Sequence, residues 1–479
     1  MFNNTQEFFN VLPIAIIGAG IIISLLIEMY SDKSEALLPW FSVVLFMAAG
    51  LHSLYYVGDV SIVMQNMLET GGNVNIFHAM FTLGAAIVCL LSIDYIKKYG
   101  TYFGEYYIIL QSSVLGMMLM AAAKDLFVIF LGLELMSISF YILAGMNRKK
   151  TKANEASLKY FLLGAFATGF IVYGIALIYG SATTTSIDYI TTNFEALSGN
   201  LLFLTGVLLF LIGFSFKIAA FPFHMWVPDV YEGSPTTVAA LFSTGGKAAA
   251  FSAILASLFA LFNGPAGNLF TPYLAVISLL SMFYGSIVAI AQDNIKRMLA
   301  YSSISHAGYL AIGLAAGSHD AVAGVVFYLA AYTFMNLGAF GIVSLIEGKD
   351  ETNLNINSYA GLGNRQPLLA ALLAILMFAL AGIPPFAGFF GKYYIFIAAI
   401  KSDLTWLAIL GVLSSAISVY FYLRIVVLMY FKSSENELVV EPSRTSLIAI
   451  IISALIVIIL GIFPGTFLEI ITKSLIKIF

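Results

Sequence analysis

The chain has 479 residues, of which 61% are hydrophobic and only 10% are charged. Soluble domains carry about 25% charged residues, so this composition excludes a soluble globular protein and indicates one that crosses a membrane several times. The net charge is −3, no run of like charges is long enough to suggest a nucleic-acid partner, and a single cysteine excludes a disulfide or a thiolate metal cluster within the chain.

Fourteen apolar runs are long enough to cross the hydrocarbon core of a bilayer, which takes about 20 helical residues. In chain order they cover residues 11–29, 37–57, 74–96, 105–122, 124–146, 155–180, 201–231, 234–262, 268–290, 296–316, 321–346, 366–400, 403–431 and 445–466. Because thirteen runs follow the first and no basic residue precedes it, we expect the first to be a retained helix and not a signal peptide. The sequence therefore predicts an all-α polytopic membrane protein with about 14 transmembrane helices.

Lysine and arginine in the predicted loops fall almost entirely on one side of the membrane. Thirteen follow odd-numbered segments (Lys33, Lys97, Lys98, Arg148, Lys149, Lys150, Lys152, Lys296, Arg297, Lys349, Arg365, Lys432 and Arg444) and four lie on the other side (Lys124, Lys401, Lys473 and Lys477). Since short cytoplasmic loops carry the basic excess, both termini should lie outside the cytoplasm, and the RKKTK hairpin at 148–152 should lie inside it.

Two segments are too long for one span and contain proline. Residues 201–231 include FPF at 221–223, and residues 366–400 include GIPPFAG at 382–388. Proline inside a helix removes a hydrogen bond and clashes with the preceding turn, so both segments should be broken helices. Their flanks also align, FKIAAFPF with FALAGIPP, which indicates two related halves, although chance similarity between apolar segments competes with that interpretation.

The predicted organisation follows from these halves. An odd number of helices per repeat inverts the second copy, a design that places transport sites near the midplane at broken helices. We therefore predict two inverted repeats of five helices, each with a broken helix. The division is 1–104 for helices 1–3, 105–262 for the first repeat (helices 4–8), 268–431 for the second (helices 9–13), and 445–479 for helix 14 and a tail.

Four ionisable residues lie near the middle of their predicted helices. Glu134 and Lys247 are central in segments five and eight, and Lys217 and Lys392 lie beside the two breaks. A charged group at the centre of a membrane helix costs about 2.5 to 3.5 kcal/mol, so its default interpretation is functional, and a structural ion pair is the alternative. Burial and neighbouring charges pull the pKa of a lysine in opposite directions, which suits such residues to release and rebind protons.

The functional interpretation is weaker for three further residues. Lys159 and Arg424 are inside predicted helices but close enough to their ends to extend toward the interface. His306 is central in segment ten and is suited to passing protons, while a buried, hydrogen-bonded histidine is the alternative. Taken together, these residues predict a proton or cation translocator without a redox centre of its own.

Four motifs then point to a known family. FPFHMWVPDVYEGSPT at 221–236, STGGKAAAF at 243–251, LGLELMSISFYIL at 131–143 and GIPPFAGFFGKYY at 382–394 resemble the N subunits of proton-pumping NADH:quinone oxidoreductase, respiratory complex I. The resemblance runs over essentially the whole chain. It implies a proton relay through Glu134, Lys159, Lys217, Lys247, His306 and Lys392, with Glu134 and Lys217 as a pair.

The resemblance also implies the surroundings of the chain. No cofactor or metal is expected on it, because NADH, flavin, iron-sulfur clusters and quinone would bind in other subunits. Its expected partners are the antiporter-like M and L subunits, the small K-type and J-type subunits and the lipid bilayer of a bacterial inner membrane. Two rivals stay open at this point: a subunit of a multi-subunit Na+/H+ antiporter, and a structural membrane scaffold.

Overall fold

The computed structural model describes residues 5–58, 60–98, 104–262, 267–348, 351–433 and 442–475. Lys349 and Lys477, counted above among the loop bases, and the end of the predicted tail at 476–479 lie outside these ranges.

The described residues form helices and one small hairpin. In chain order the elements are α1 (Thr5–Tyr30), α2 (Ser34–Tyr55), β1 (Ser61–Val63), β2 (Leu68–Thr70), α3 (Gly72–Lys98), α4 (Glu105–Ala122), α5 (Leu126–Ala144), α6 (Thr151–Ala182), α7 (Ile187–Thr192), α8 (Phe194–Leu197), α9 (Leu201–Lys217), α10 (Trp226–Gly233), α11 (Thr236–Leu241), a π-helix (Phe242–Gly246), α12 (Lys247–Phe262), α13 (Gly267–Ile290), α14 (Ile295–Ala316), α15 (His319–Ile346), a 3-10 helix (Ile356–Tyr359), α16 (Leu362–Arg365), α17 (Pro367–Ala381), α18 (Ala387–Lys401), α19 (Thr405–Phe431), α20 (Arg444–Ile462) and α21 (Pro464–Leu475).

The prediction of a helical polytopic membrane protein is confirmed. Among the described residues, eleven helices are long and apolar enough to cross a membrane. The other three predicted segments are also helical: α9 with α10, α14, and α17 with α18. The short elements outside the predicted segments include the antiparallel β1–β2 hairpin, α7, α8, the 3-10 helix and α16. Most of α21 also lies beyond the last predicted segment, and this helix places Ile471 and Leu475 on its buried face.

Both predicted breaks are present. The first separates α9 from α10 between Lys217 and Trp226, and the second separates α17 from α18 between Ala381 and Ala387. Each contains one cis X-Pro peptide bond. At the second break the chain turns through Gly382, whose φ of 86° lies in the left-handed region that favours glycine. Both helices thus end before the prolines, and both long segments are broken as predicted.

Small residues set the close approach of paired helices around the core. A Cβ atom on Gly116 of α4 would lie 2.6 Å from the carbonyl oxygen of Gly132 of α5, and one on Gly132 would lie 2.8 Å from that of Gly116. Gly174 of α6 and Gly206 of α9 meet in the same reciprocal way. Helices in a membrane gain stability from such close packing, since lipid offers no hydrophobic drive between them.

Helices α3, α11, α12 and α15 are almost entirely buried and form the centre of the molecule. The outer helices α1, α2 and α6 expose many large apolar side chains, as lipid-facing helices do. The polar side chains described next lie on or beside the central helices, shielded from the apolar exterior.

Candidate functional site

Lys217 is the last residue of α9, directly before the first break. Its side chain is buried, and its Nζ donates to Ser137 Oγ at 2.8 Å and to Tyr141 OH at 3.3 Å, both on α5. The break thus brings a lysine from the end of one helix onto the polar face of another, where two hydroxyl groups hold its ammonium.

Glu134 lies on the same helix as those hydroxyls, half-buried, and accepts a hydrogen bond of 2.8 Å from Thr168 of α6. Glu134 and Lys217, both within the described ranges, do not form a direct ion pair. Ser137 stands one helical turn from Glu134 and contacts Lys217. The two charges are therefore neighbours across one hydroxyl group.

Lys247 is the twelfth of 23 residues in the continuous segment Thr236–Leu258, near mid-depth. It follows directly on the π-helix Phe242–Gly246, a local widening that is frequent at functional sites. Its buried Nζ donates to Ser303 Oγ at 2.6 Å and also to the Ser303 carbonyl of α14. A hydroxyl both donates and accepts, so Ser303 can pass a proton to or from this lysine.

His306 lies one turn beyond Ser303 on α14 and is fully buried. Its Nδ1 is 2.6 Å from Tyr328 OH and its Nε2 is 2.9 Å from Tyr422 OH. Tyr422 also hydrogen-bonds to Ser302, the neighbour of the serine that holds Lys247. The two ring nitrogens therefore connect hydroxyl groups from two other helices, α15 and α19.

Lys392 lies in α18, just after the second break, and its buried Nζ points back into that break. It donates to the carbonyls of Ala381 at 3.0 Å and Leu380 at 3.4 Å, and to Ser415 Oγ at 2.8 Å. The last carbonyls of a helix have no amide partners and carry its negative dipole end, so the end of α17 stabilises the ammonium. The ring of Tyr309 lies 4.9 Å from the same Nζ.

Lys217, Lys247, His306 and Lys392 are thus buried and Glu134 is half-buried. We call these five of the six predicted site residues the central row. The aromatic ring of Tyr309 lies 5.8 Å from that of His306 and continues the row to Lys392. Its hydroxyl contacts Ser414 at 3.3 Å. Between Lys247 and Lys392, the row is thus lined by groups that can exchange protons.

Lys159 lies apart from the central row. Its side chain is 41% exposed and pairs with Glu155 at 2.6 Å and with Asp229 at 2.8 Å. Asp229 also pairs with Arg297. Arg424 likewise reaches a helix end, where it pairs with Asp293 at 3.2 Å. We call this end of the molecule, which carries the RKKTK hairpin, the basic face.

Two charged residues that the sequence analysis did not select are fully buried near the basic face. Lys296, which was assigned to a loop, is the second residue of α14 and is 1% exposed, so that assignment was wrong. Glu347, the residue after α15, is also 1% exposed. Hydropathy alone could not find them, since a charge at a helix end is normally solvated.

A cavity of about 180 Å³ lies at the opposite face, bounded by Ser252 and Lys124. Ser252 is five residues beyond Lys247 on α12, about 7.5 Å along the helix. Lys124 pairs with Asp188 at 2.8 Å and Glu69 at 3.2 Å. Burial lowers the pKa of Lys124, but the two carboxylates outweigh it and hold the pKa above its usual value. This cavity therefore approaches Lys247 from the face opposite the basic face.

No group of three or more His, Cys, Asp or Glu side chains among the described residues comes together in a way that could hold a metal ion. The chemistry that this part of the chain offers is proton transfer between amines, imidazole, carboxylate and hydroxyl groups.

Known proteins match the chain over nearly its whole length. Residues 123–418 match the family described as NADH:quinone oxidoreductase/Mrp antiporter, TM. The chain is 44% identical over 468 residues to NADH-quinone oxidoreductase subunit N 1 of Chloroherpeton thalassium, with 97% of each chain covered. It is similar to a chain of respiratory complex I from Thermus thermophilus with bound aureothin, with a TM-score of 0.82, 30% identity, and 95% and 98% of the two chains covered. A chain of the Mrp complex from Dietzia sp. has a TM-score of 0.87 at 18% identity over 98% and 97% of the two chains, which shows a shared fold alone.

Proposed function

The chain belongs to the NADH:quinone oxidoreductase/Mrp antiporter family, and from that premise we propose that its central row is the path on which it moves protons. It is a multi-pass, proton-translocating membrane subunit of bacterial respiratory complex I, of the kind called N. The redox cofactors of that enzyme are elsewhere in the complex. Our proposal concerns which residues of this chain form the proton path.

The observation that carries this assignment is the burial of three lysines and a histidine, each held by hydroxyl or carbonyl oxygens. Lys217, Lys247 and Lys392 donate to Ser137, Ser303 and Ser415. A lysine held by a carboxylate keeps its proton, whereas one held by neutral oxygens can lose it when a nearby charge moves. The central row is therefore suited to repeated proton release.

The roles within the row follow from position. Glu134 modulates Lys217 across Ser137, Lys247 exchanges protons with Ser303, and His306 links Lys247 to the break at Lys392. Lys159 acts from the basic face, where its bond to Asp229 makes it a surface contributor to the relay.

We further propose the finer architecture on which this path depends. The fourteen helical segments would all span the membrane, with the basic face in the cytoplasm and both termini outside. Segments 4–8 (105–262) and 9–13 (268–431) would form two inverted repeats, flanked by 1–104 and 445–479. The two breaks support this division because each lies in the fourth helix of its repeat and presents a lysine nearby.

The partners that we propose are the antiporter-like M and L subunits and the small K-type and J-type subunits of the membrane arm. NADH, flavin, iron-sulfur clusters and quinone would bind in other chains. The likeness to an Mrp complex leaves a Na+/H+ antiporter subunit as a rival on fold alone, but 44% identity to an N subunit over 97% of both chains favours complex I.

The test is to replace Lys247 in the assembled enzyme and to measure NADH-driven proton uptake into inside-out membrane vesicles. Lys247→Ala should assemble, co-purify with NADH:quinone oxidoreductase activity and lose most pumping. Lys401→Met is a matched control, because Lys401 is exposed and pairs with Asp320 at 2.6 Å. Normal pumping by Lys247→Ala would refute the assignment, and the absence of NADH oxidation from the purified complex would favour the antiporter or the scaffold.

A further inference from the structure

Glu347 and Lys296 form a second buried charged cluster, separate from the central row. Thr236 donates to Glu347 Oε2 at 2.5 Å and Tyr95 does so at 3.2 Å, while Lys98 donates to the Glu347 carbonyl. Lys296 lies beside Glu347, because its Nζ donates to the carbonyl of Ser234, two residues before the Thr236 that donates to Glu347. Removing both charges from water costs free energy, which interactions with opposite charges and polar groups must offset.

This cluster meets space that leads to the basic face. A cavity of about 430 Å³ is lined by Glu347, Lys98 and Tyr95. A second cavity, of about 50 Å³, is lined by Tyr95, Ser234 and Lys150. Tyr95 is common to both, so its hydroxyl stands where the two cavities and the Glu347 carboxylate come together. Water from the basic face can therefore reach the cluster.

The inner side of the cluster points to Lys247. Lys296 Nζ donates to the Ser234 carbonyl at 2.7 Å, and Ser303, which holds Lys247, lies on the same helix as Lys296. Lys296 and Ser303 are seven residues apart on α14, hence on one face and about 10.5 Å apart along the axis.

Two buried polar atoms on this route have no hydrogen-bond partner among the described residues, Ser234 Oγ and Asn336 Oδ1. Asn336 donates to Tyr332 OH, and the Tyr332 ring lies 5.7 Å from Lys247 Nζ. Buried polar groups are almost always satisfied by protein or by ordered water. The two orphaned atoms therefore mark positions at which water would complete a chain from the cluster to Lys247.

We propose that Glu347 and Lys296 are the proton-loading site for Lys247 from the basic face, an inference that rests on the function proposed above. The Glu347 carboxylate accepts a hydrated proton that reaches it through the cavity from the basic face. The positive charge of Lys296 compensates the unloaded carboxylate, and the proton passes through water at Ser234 Oγ and Asn336 Oδ1 and through Ser303 to Lys247 when that lysine is neutral. Each transfer moves one proton between two bases, and the cavity restores it to Glu347.

The main experiment compares Glu347→Gln with Glu347→Asp in assembled complex, using proton uptake per NADH oxidised in inside-out vesicles. Gln keeps the shape but cannot load a proton, so uptake should fall about tenfold or more, whereas Asp should retain a substantial part of it. Glu469→Gln makes the same chemical change at an exposed ion pair with Lys473 and should pump like the parent. Parent-like pumping by Glu347→Gln would overturn the proposal.

Lys296 provides a second test that does not depend on Glu347 variants assembling. Lys296→Arg keeps the positive charge beside Glu347, whereas Lys296→Met removes it. We expect Lys296→Arg to pump better than Lys296→Met. If Met supports uptake at least as well as Arg, the charge of Lys296 does not serve Glu347 and the loading site is refuted.

A parallel measurement on Lys247→Ala distinguishes failure of the loading site from failure of the central row. Loss of pumping in Lys247→Ala together with normal pumping in Glu347→Gln would refute the loading site alone. Normal pumping in both would refute the central row, and the loading site with it.

Discussion

Glu134 and Lys217 should behave as an interacting pair, although Ser137 and Tyr141 are the groups that Lys217 contacts directly. Glu134 and Ser137 are one turn apart on α5, about 5 to 6 Å between Cβ atoms, and Lys217 Nζ lies 2.8 Å from Ser137 Oγ. At about 7 Å and an effective dielectric constant of about 20, two unit charges interact by about 2.4 kcal/mol. That energy changes a protonation equilibrium about fiftyfold.

We therefore expect Glu134→Gln and Lys217→Met each to lower NADH-driven proton uptake in inside-out vesicles while the complex still assembles. The double variant should lose less than the sum of the single losses, by about 1 to 2.4 kcal/mol when rates are converted to free energies. The same cycle on Asp320→Asn and Lys401→Met, an exposed pair 2.6 Å apart, is the matched control and should leave uptake unchanged.

Additive losses would refute this reasoning. If the double variant at 134 and 217 equals the sum of the singles within about 0.5 kcal/mol, the two charges do not interact across Ser137. Lys217 would then act through its hydroxyl partners alone.

Three further predictions concern the second break, its backbone and the topology. Lys392→Arg should assemble but pump poorly because Arg cannot release a proton, whereas Lys392→Glu should pump better than Lys392→Ala; parent-like proton uptake by the Ala variant would make Lys392 a structural charge. Gly382→Ala should lower the thermal stability of the solubilised complex by about 1 to 2 kcal/mol, because the φ of Gly382 is 86° and an added Cβ would lie 3.1 Å from Lys392 Nζ. Gly169→Ala is the control, since Gly169 has open space around it, and this change should be neutral or stabilising. Equal effects of the two changes would show that the backbone at Gly382 is not strained by a side chain. Because Cys89 is buried and gives no background, an impermeant maleimide added to intact cells should label Lys473→Cys but not Lys152→Cys, and the reverse result would invert the proposed orientation.

The helices and both breaks are predictable from the sequence because their signals are local. Apolar length marks a membrane helix, and proline inside such a run ends it wherever it occurs. The inverted repeats rest on the same local signals and stay a proposal. The burial of Lys247, His306 and Lys392 could also be predicted from the sequence. Lipid does not solvate a charge, so an ionisable side chain inside a membrane helix must face the interior of the protein.

Other features depend on tertiary contacts that no local pattern records. Lys296 is next to the polar stretch QDN at 292–294 and resembles a loop base, yet α14 packs so that Ser234 receives its ammonium. The π-helix before Lys247 lies in a run that reads as an ordinary helix. The hydroxyls of Ser137 and Tyr141, which hold Lys217, come from a helix some 80 residues earlier. The sequence of one helix carries no signal for contacts that form only when distant helices of the chain pack together.

The mid-helix positions of Lys247 and His306 determine how proton exchange between them would respond to membrane voltage. Lys247 is twelfth of 23 residues in its segment and His306 is twelfth of 22 in α14, so a proton passing between them moves parallel to the membrane and crosses little of the electric field. A unit charge crossing the whole membrane at 100 mV does work of about 2.3 kcal/mol, hence about 1.2 kcal/mol for each half. This electrical work is done in the two steps that run perpendicular to the membrane plane. One step is from Glu347 to Lys247 at the basic face, and the other is from the central row to the opposite face. An imposed potential would therefore change loading and release while leaving exchange within the row unaltered.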